Sequence, residues 1–478
     1  MTPLTAILTI LGYLALMFAV SAISSRGSDN NTFFKGGGRS SWLLVAFAMI
    51  GSVMSGVTFV SVPGWVGSSG MAYLQMFLGF IVGYAVIAFV LIPLYFKLNV
   101  ISIYQYLENR FGLATYKTGA WFFFISKILG AAVRLFIVCV SLQMLVFDPT
   151  GLPFWLNVAI SMAIVFAYTV KGGVKSVIWI DLLKTLCMIA SVVLTIIFIA
   201  KSLDINIVSE IRNSRMSKIF YFDDPLSGQY FWKQFLAGIF TVVAMTGLDQ
   251  DMMQRTLSCK NYRDSQKNLM TSIFLQIAVI FLFLCLGVLL YIFAQARGIA
   301  EVGDKIFPAV ATGGYLPGIV GILFLVGLVS AAYGAGGSAL TSLTTSFTVD
   351  IIGTAGKGEQ EVASIRRRVH VAMAVLMGLA IIVFNALNST SAIDAVYKIA
   401  SYTYGPLLGM FAFGIACRKK IHDRWVPVVA IVAPAICLLL DLNSESLFGG
   451  YKFSYELLIL NAALTAAGLL ILTCRKSR

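Results

Sequence analysis

About thirteen long apolar runs follow one another along this chain, and the loops between them are alternately rich and poor in Lys and Arg. That pattern leaves little choice of fold. A bilayer core about 30 Å thick takes roughly 20 apolar residues per helical crossing. In lipid the backbone must satisfy its own polar groups, which a helix does within one segment. The expected fold is therefore an all-α polytopic membrane protein. The runs predict helices near 4–24, 42–63, 71–97, 117–147, 154–170, 174–201, 228–253, 269–296, 316–351, 366–386, 391–417, 424–441 and 454–474. Composition agrees: 59% of the 478 residues are hydrophobic and only 12% charged, too few charges to cover a soluble body of this size.

The net charge of +14 does not call for nucleic acid, because the basic residues sit in alternate loops. Arg26, Lys35 and Arg39 form the first group. Lys171 and Lys175 follow, then Arg255, Lys260, Arg263 and Lys267, then Arg366, Arg367 and Arg368, then Arg418, Lys419, Lys420 and Arg424, and a basic tail. Positive loops face the cytoplasm, so the N-terminus is expected outside and the C-terminus inside. The opening MTPLT lacks a basic region, and the run from Leu4 to Ala22 reads as a retained helix, not a cleaved signal. The cysteines (139, 187, 259, 285, 417, 437, 474) form no CxxC pair and read as packing residues. His370 and His422 read as loop residues.

Two runs carry break signals. The second contains SGVTFVSVPGW, with Pro63–Gly64 before a polar turn; the seventh contains AMTGLDQDMMQR, with Gly247 beside Asp249 and Asp251. Glycine and proline free backbone groups that must then be paired by protein, water or ligand. The two runs are five apart. Interrupted helices at matching places in two five-helix halves point to an inverted-repeat transporter with a site at the membrane midplane.

Four segments resemble the sodium/solute symporter family, which includes sodium–sugar, sodium–sialic acid, proline and iodide carriers. They are FFKGGGRSSWLLVAFAMIGSVMSGVTF, YTVKGGVKSVIWIDLLKT, LDQDMMQRTLSCKN and LTSLTTSFTVDII, in family order over nearly the whole chain. The resemblance implies a five-plus-five inverted-repeat core with one helix before it and two after. The divisions are then 1–41, 42–201, 202–417 and 418–478. It also implies a multi-pass protein of the bacterial inner (plasma) membrane, with the lipid bilayer and a small-molecule substrate as its partners.

By the same resemblance, a sodium ion is held by carbonyls of Gly51 and Met54 from the broken helix, a carbonyl of Ala331, and two hydroxyls of the eighth core helix. A hard cation needs such oxygen ligands. The hydroxyl positions fall on Gly334 and Ala335, which have none. A second family site uses an aspartate and hydroxyls; Asp181 and Ser338 match, whereas Gly334 and Gly337 again lack the oxygen. Lys184, three residues after Asp181, shares its helix face. An intramembrane lysine is a functional candidate: it stands in for sodium, in a sodium-independent or proton-linked carrier, or it only pairs with Asp181.

For the substrate, Ser55 and Thr58 lie one turn apart at the first break. Arg134 sits mid-helix in ISKILGAAVRLFIV, where a guanidinium needs a counter-charge or a polar cavity and suits a carboxylate. In the family's sialic acid carriers a serine, a threonine and an arginine at these positions hold the substrate carboxylate. The reading is an organic anion, sialic acid first, against a neutral sugar or an Arg134 paired structurally with Asp249. Gln75, Asp249, Gln250 and Tyr402 complete the candidate site. A membrane enzyme finds no support: there is no HExxH, no nucleophile with a base, and no Cys/His set.

Overall fold

The computed structural model describes residues 3–24, 40–99, 102–170, 173–354, 356–387 and 392–473. The principal helices are α1 (Pro3–Ser24), α2 (Trp42–Val53), α3 (Gly56–Ser69), α4 (Tyr73–Leu98), α5 (Leu113–Leu142), α6 (Phe154–Thr169) and α7 (Gly173–Leu203). They continue with α8 (Phe231–Gly247), α9 (Gln250–Thr256), α10 (Tyr262–Arg297), α11 (Gly318–Ile352), α12 (Glu359–Leu387), α13 (Ala392–Ala416), α14 (Val426–Leu442) and α15 (Leu457–Ile471). Among the described residues, nine helices are long and apolar enough to cross a membrane, and eleven spans result when each bent pair counts as one. The helices α6 and α15, of 16 and 15 residues, are apolar but shorter than a full crossing. Thirteen full-length spans are therefore not reached, although every expected run is helical. Arg26, Lys35, Arg39, Lys171 and the tail from Arg475 lie outside the described residues.

Both break signals mark real breaks. The helices α2 and α3 meet at 61°, and α8 and α9 at 72°. The first break falls at Met54–Ser55, where the resemblance implies it, and the Pro63–Gly64 signal lies inside α3. A proline removes one donor and crowds the carbonyl four residues back but keeps a helical φ, whereas at Met54 and Ser55 two successive residues turn extended (ψ 105° and −179°).

The packing exchanges the two five-helix halves. The first span of each half lies on the second helix of the other, α3 on α10 and α8 on α4. Likewise α7 lies on α11 and α13 on α5, pairing fifth helices with third. In lipid, helices gain little from apolar burial and associate through close packing and hydrogen bonds. The helix α13 shows this at its proline. Pro406 has no N–H for the Tyr402 carbonyl four residues back. The Asn461 amide of α15 fills the gap, donating to the carbonyls of Ser401 and Tyr402 at 3.0 Å each. Gly405 permits the approach, since a Cβ there would lie 2.6 Å from that of Asn461.

The helix ends fall on two faces. The helix ends and loops with Lys97, Arg110, Lys260, Arg263 and Arg366–Arg368 share one, here the basic face. At this face Asp350, wholly buried near the end of α11, accepts hydroxyls from Ser102 (2.8 Å), Ser346 (2.7 Å) and Tyr116 (2.9 Å).

Candidate functional site

The breaks expose backbone where the sequence needs polar groups. In a continuous helix the Ser55 N–H would bond the Gly51 carbonyl. It donates instead to Thr58 Oγ1 at 3.3 Å, and the last carbonyls of α2 are left without helical partners. The second break is prepared by a widened turn, in which the Leu248 N–H reaches the Val243 carbonyl at 3.1 Å. Asp249 then caps α9, its Oδ1 accepting the N–H groups of Asp251 (2.8 Å) and Met252 (3.2 Å).

Between the breaks lies a cavity of about 80 Å³, walled by Ser55, Thr58, Tyr73, Phe77, Phe80, Arg134, Thr241, Thr246 and Tyr397, among others. Tyr73 and Tyr397 meet hydroxyl to hydroxyl at 2.5 Å. They come from the starts of α4 and α13, at the end away from the basic face. A smaller void of about 20 Å³ lies against the same arginine, lined by Lys127, Arg134, Asp249 and Tyr404 among others. It has room for about one water.

Toward the basic face a ladder of buried charges ties five helices together. Lys127 of α5 reaches Asp251 at 2.7 Å and Asp249 at 3.2 Å. Arg255 of α9 joins Asp251 (2.7 Å) to Asp181 of α7 (3.3 Å). Lys184 pairs with Asp181 at 3.2 Å, Ser52 of α2 donates to Asp181 at 2.9 Å, and Tyr404 of α13 donates to Asp249 at 2.6 Å. Three cations face three carboxylates, so the ladder is neutral. Removing one partner of such a pair costs about 3–5 kcal/mol.

Arg134 stands apart. Among the described residues it has no carboxylate within ion-pair reach, while Lys184 has one and Lys127 and Arg255 have two each. The structural alternative of an Arg134–Asp249 pair is not what the fold builds: Lys127 and Tyr404 occupy Asp249.

Of the candidate substrate residues, the structure brings Ser55, Thr58 and Arg134 to one cavity. Asp249 reaches only the small void beside Arg134. Gln75 lies elsewhere. Its amide donates to the Gln229 carbonyl (2.9 Å) and accepts from the Tyr221 N–H (3.1 Å), because Tyr73 and Phe77, two positions to either side, hold the cavity face of α4. Gln250 also turns away, its Oε1 accepting the Ile103 N–H at 3.0 Å. Tyr402 points at α14, donating to Asp441 at 2.7 Å; Tyr397 is the tyrosine of α13 that lines the cavity. Thr241 and Thr246 were not singled out from the sequence, and Lys127, whose place on the face of Arg134 is readable there, carries no assigned role in that reading. The spacing of seven between Lys127 and Arg134 is two helical turns on one face, and the structure gives Lys127 its role as the partner of Asp249 and Asp251. His370 is not a loop residue either: it is buried in α12 between the hydroxyls of Thr169 (2.9 Å) and Thr344 (2.7 Å).

The candidate ion positions gather around the first break, but their donor set does not fit a sodium ion. Gly334 and Ala335 bring no side-chain oxygen. Asp181 is engaged by Lys184, Arg255 and Ser52, and Ser338 donates to the Gly334 carbonyl at 3.0 Å. A Cβ at Gly337 would collide with the Tyr168 hydroxyl, so no hydroxyl side chain fits there without displacing it.

Two bent spans flanking a cavity, in a fold whose halves exchange contacts, define a secondary transporter of the inverted-repeat class. The chain belongs to the Sodium:solute symporter family, whose sequence profile matches residues 33–422; the family is sodium-coupled. The sodium/sialic acid symporter NanT of Aliivibrio fischeri is 24% identical over 452 residues, covering 90% of this chain and 86% of that protein. The human sodium/iodide cotransporter is also 24% identical, over 428 residues; the match covers 84% of this chain and 65% of the cotransporter. A sodium-coupled sialic acid symporter solved in a substrate-bound, outward-open state superposes with a TM-score of 0.83 at 20% identity, covering 98% of this chain and 97% of the other.

Proposed function

We propose that this chain carries a small carboxylate-bearing solute across the membrane by alternating access, with sialic acid-like acids the first candidates. The supporting observation is Arg134, which faces the cavity without a protein counter-ion. A guanidinium in a low-dielectric wall binds a carboxylate through paired charge-assisted hydrogen bonds, and Ser55 and Thr58 stand across the same cavity to orient it. Tyr73 and Tyr397 would part to admit solute on one side, and the charge ladder would open on the other. In this closed form the cavity suits a compact acid, and a sugar acid requires the tyrosines to separate.

The basic face is cytoplasmic in this reading, with the N-terminus outside and the C-terminus inside a bacterial inner membrane. A reporter active only in the cytoplasm, fused after Arg478, tests that orientation and should be active.

Sodium is the family's ion. The ill-fitting donor set favours a second reading, a carrier that runs without sodium at the first break. The direct test of the solute class is uptake into proteoliposomes of radiolabelled N-acetylneuraminate, propionate and glucose, each with sodium and with choline. Uptake of a carboxylate that Arg134→Gln abolishes supports the proposal. Uptake of glucose alone, unaffected by Arg134→Gln, refutes it.

A further inference from the structure

Family membership places a cation between the α2–α3 break and α11, and three observations concern what occupies that place here. The first is steric. A Cβ at Gly334 would lie 2.8 Å from Lys184 Cδ, 3.2 Å from Nζ and 3.3 Å from Cε. The lysine stem therefore runs against the face of α11 where the expected hydroxyl is missing, and a larger residue at 334 would make the stem shift. The second is the state of the ammonium. Lys184 is 0% exposed. Asp181 Oδ1 is its ion-pair partner at 3.2 Å, and among the described residues Nζ makes no well-formed hydrogen bond. Three N–H donors thus sit beside a break that releases backbone carbonyls. On the other side, Gly51 is pressed to α7 so closely that a Cβ would lie 2.5 Å from Thr185 Oγ1.

The third observation is the charge count. Lys184, Arg255 and Lys127 balance Asp181, Asp251 and Asp249. A sodium ion here would add a fourth positive charge next to Lys184, with two of about five usual ligands absent. An uncompensated buried charge is costly, and it carries a direct repulsion as well.

We infer that the Lys184 ammonium is the resident cation of this site, taking the place of the ion, so that the carrier works with no sodium bound between α2–α3 and α11. This deepens the transporter reading and rests on it. Solute then moves on its own gradient as far as this site is concerned. Lys184 holds the break and α11 together as a tethered charge that is never released.

The test uses the full-length protein in detergent and in proteoliposomes. The thermal midpoint is measured in sodium, potassium and choline chloride at one ionic strength, and N-acetylneuraminate uptake in sodium and choline. The wild type should show no sodium-specific rise and an uptake ratio of about 1. Lys184→Ala/Gly334→Ser/Ala335→Ser restores both hydroxyls and vacates the space. It should gain a saturable, sodium-specific rise in midpoint and a sodium-to-choline uptake ratio of about 10. Lys184→Ala/Gly334→Ser is the milder variant should the triple one not fold; it vacates the space, restores one hydroxyl, and should gain the same rise in smaller measure. A sodium-specific rise in the wild type overturns the inference, as does a folded variant that gains none. The midpoint needs no solute, so failure here is distinct from failure of the solute reading, which shows as no uptake in either salt.

Discussion

Replacing Lys127 by methionine should disable the solute site without touching it. Lys127 Nζ lies 2.7 Å from Asp251 and 3.2 Å from both oxygens of Asp249. Methionine keeps the stem and removes the charge. Asp251 retains Arg255 at 2.7 Å. Asp249 retains the Tyr404 hydroxyl and two backbone donors but loses its cation. The next cation in that void is Arg134, which shares its wall with Asp249, so Arg134 should be drawn across. Hydrogen bonds to a charged group contribute about 1.5–3 kcal/mol. Losing those of Arg134 to a solute carboxylate should raise KM for N-acetylneuraminate uptake about 10- to 150-fold. The stability cost should sit at the low end of about 3–5 kcal/mol, because both carboxylates keep partners. For 478 residues that is a fall in Tm of about 3 °C. The companion variant Lys127→Met/Asp249→Asn removes the charge that captures Arg134 and should restore KM to within about 3-fold of wild type. An unchanged KM in the single variant, or no recovery in the double one, refutes the reasoning.

Tyr397→Phe removes the 2.5 Å contact with Tyr73; a cysteine placed at Thr58 should then react with a membrane-impermeant maleimide about 2- to 12-fold faster, the equivalent of about 0.5–1.5 kcal/mol. Asp350→Asn turns an amide N–H₂ toward hydroxyls that donate to the carboxylate, and Tm should fall by about 1–3 °C. Asn461→Leu strips the Tyr402 carbonyl of its donor and should cost a similar amount. In a Pro406→Ala background, where a backbone N–H can return to Tyr402, the loss should shrink by more than half, as read from a thermal double-mutant cycle.

The helices and both breaks were legible because membrane helices are long, and because glycine or carboxylate inside one is a local anomaly. The resemblance places the first break correctly, where propensity alone would not. Pro63 is the stronger breaker by propensity, yet the chain turns extended at Met54 and Ser55, where a cavity rather than packed protein faces the backbone. The facing of polar side chains was legible only in part. Arg134, Ser55 and Thr58 share one cavity, but Gln75, Gln250 and Tyr402 spend their polar groups elsewhere. One residue of rotation on a helix is about 100°, and which arc faces the cavity depends on the neighbouring helices. Tyr397 and Tyr404, seven apart, mark the inward face of α13, with Tyr402 well off it. The ladder was the largest omission. The pairs within one helix, Asp181–Lys184 and Asp251–Arg255, are readable from their spacing, but the links between α5, α7 and α9 join residues far apart in sequence.

The Asn461 bridge has a mechanical meaning. The helix α13 carries Tyr397 near one end of the cavity and Tyr404 on the charge ladder toward the other, and Pro406 removes one of its backbone hydrogen bonds. Its exposed carbonyls are bonded from α15, which lies outside the ten-helix core. In the proposed alternating access, a swing of α13 would have to carry α15 with it. Lipid beside α15 therefore pushes on the gate directly, and a thicker or stiffer bilayer should alter how often it opens.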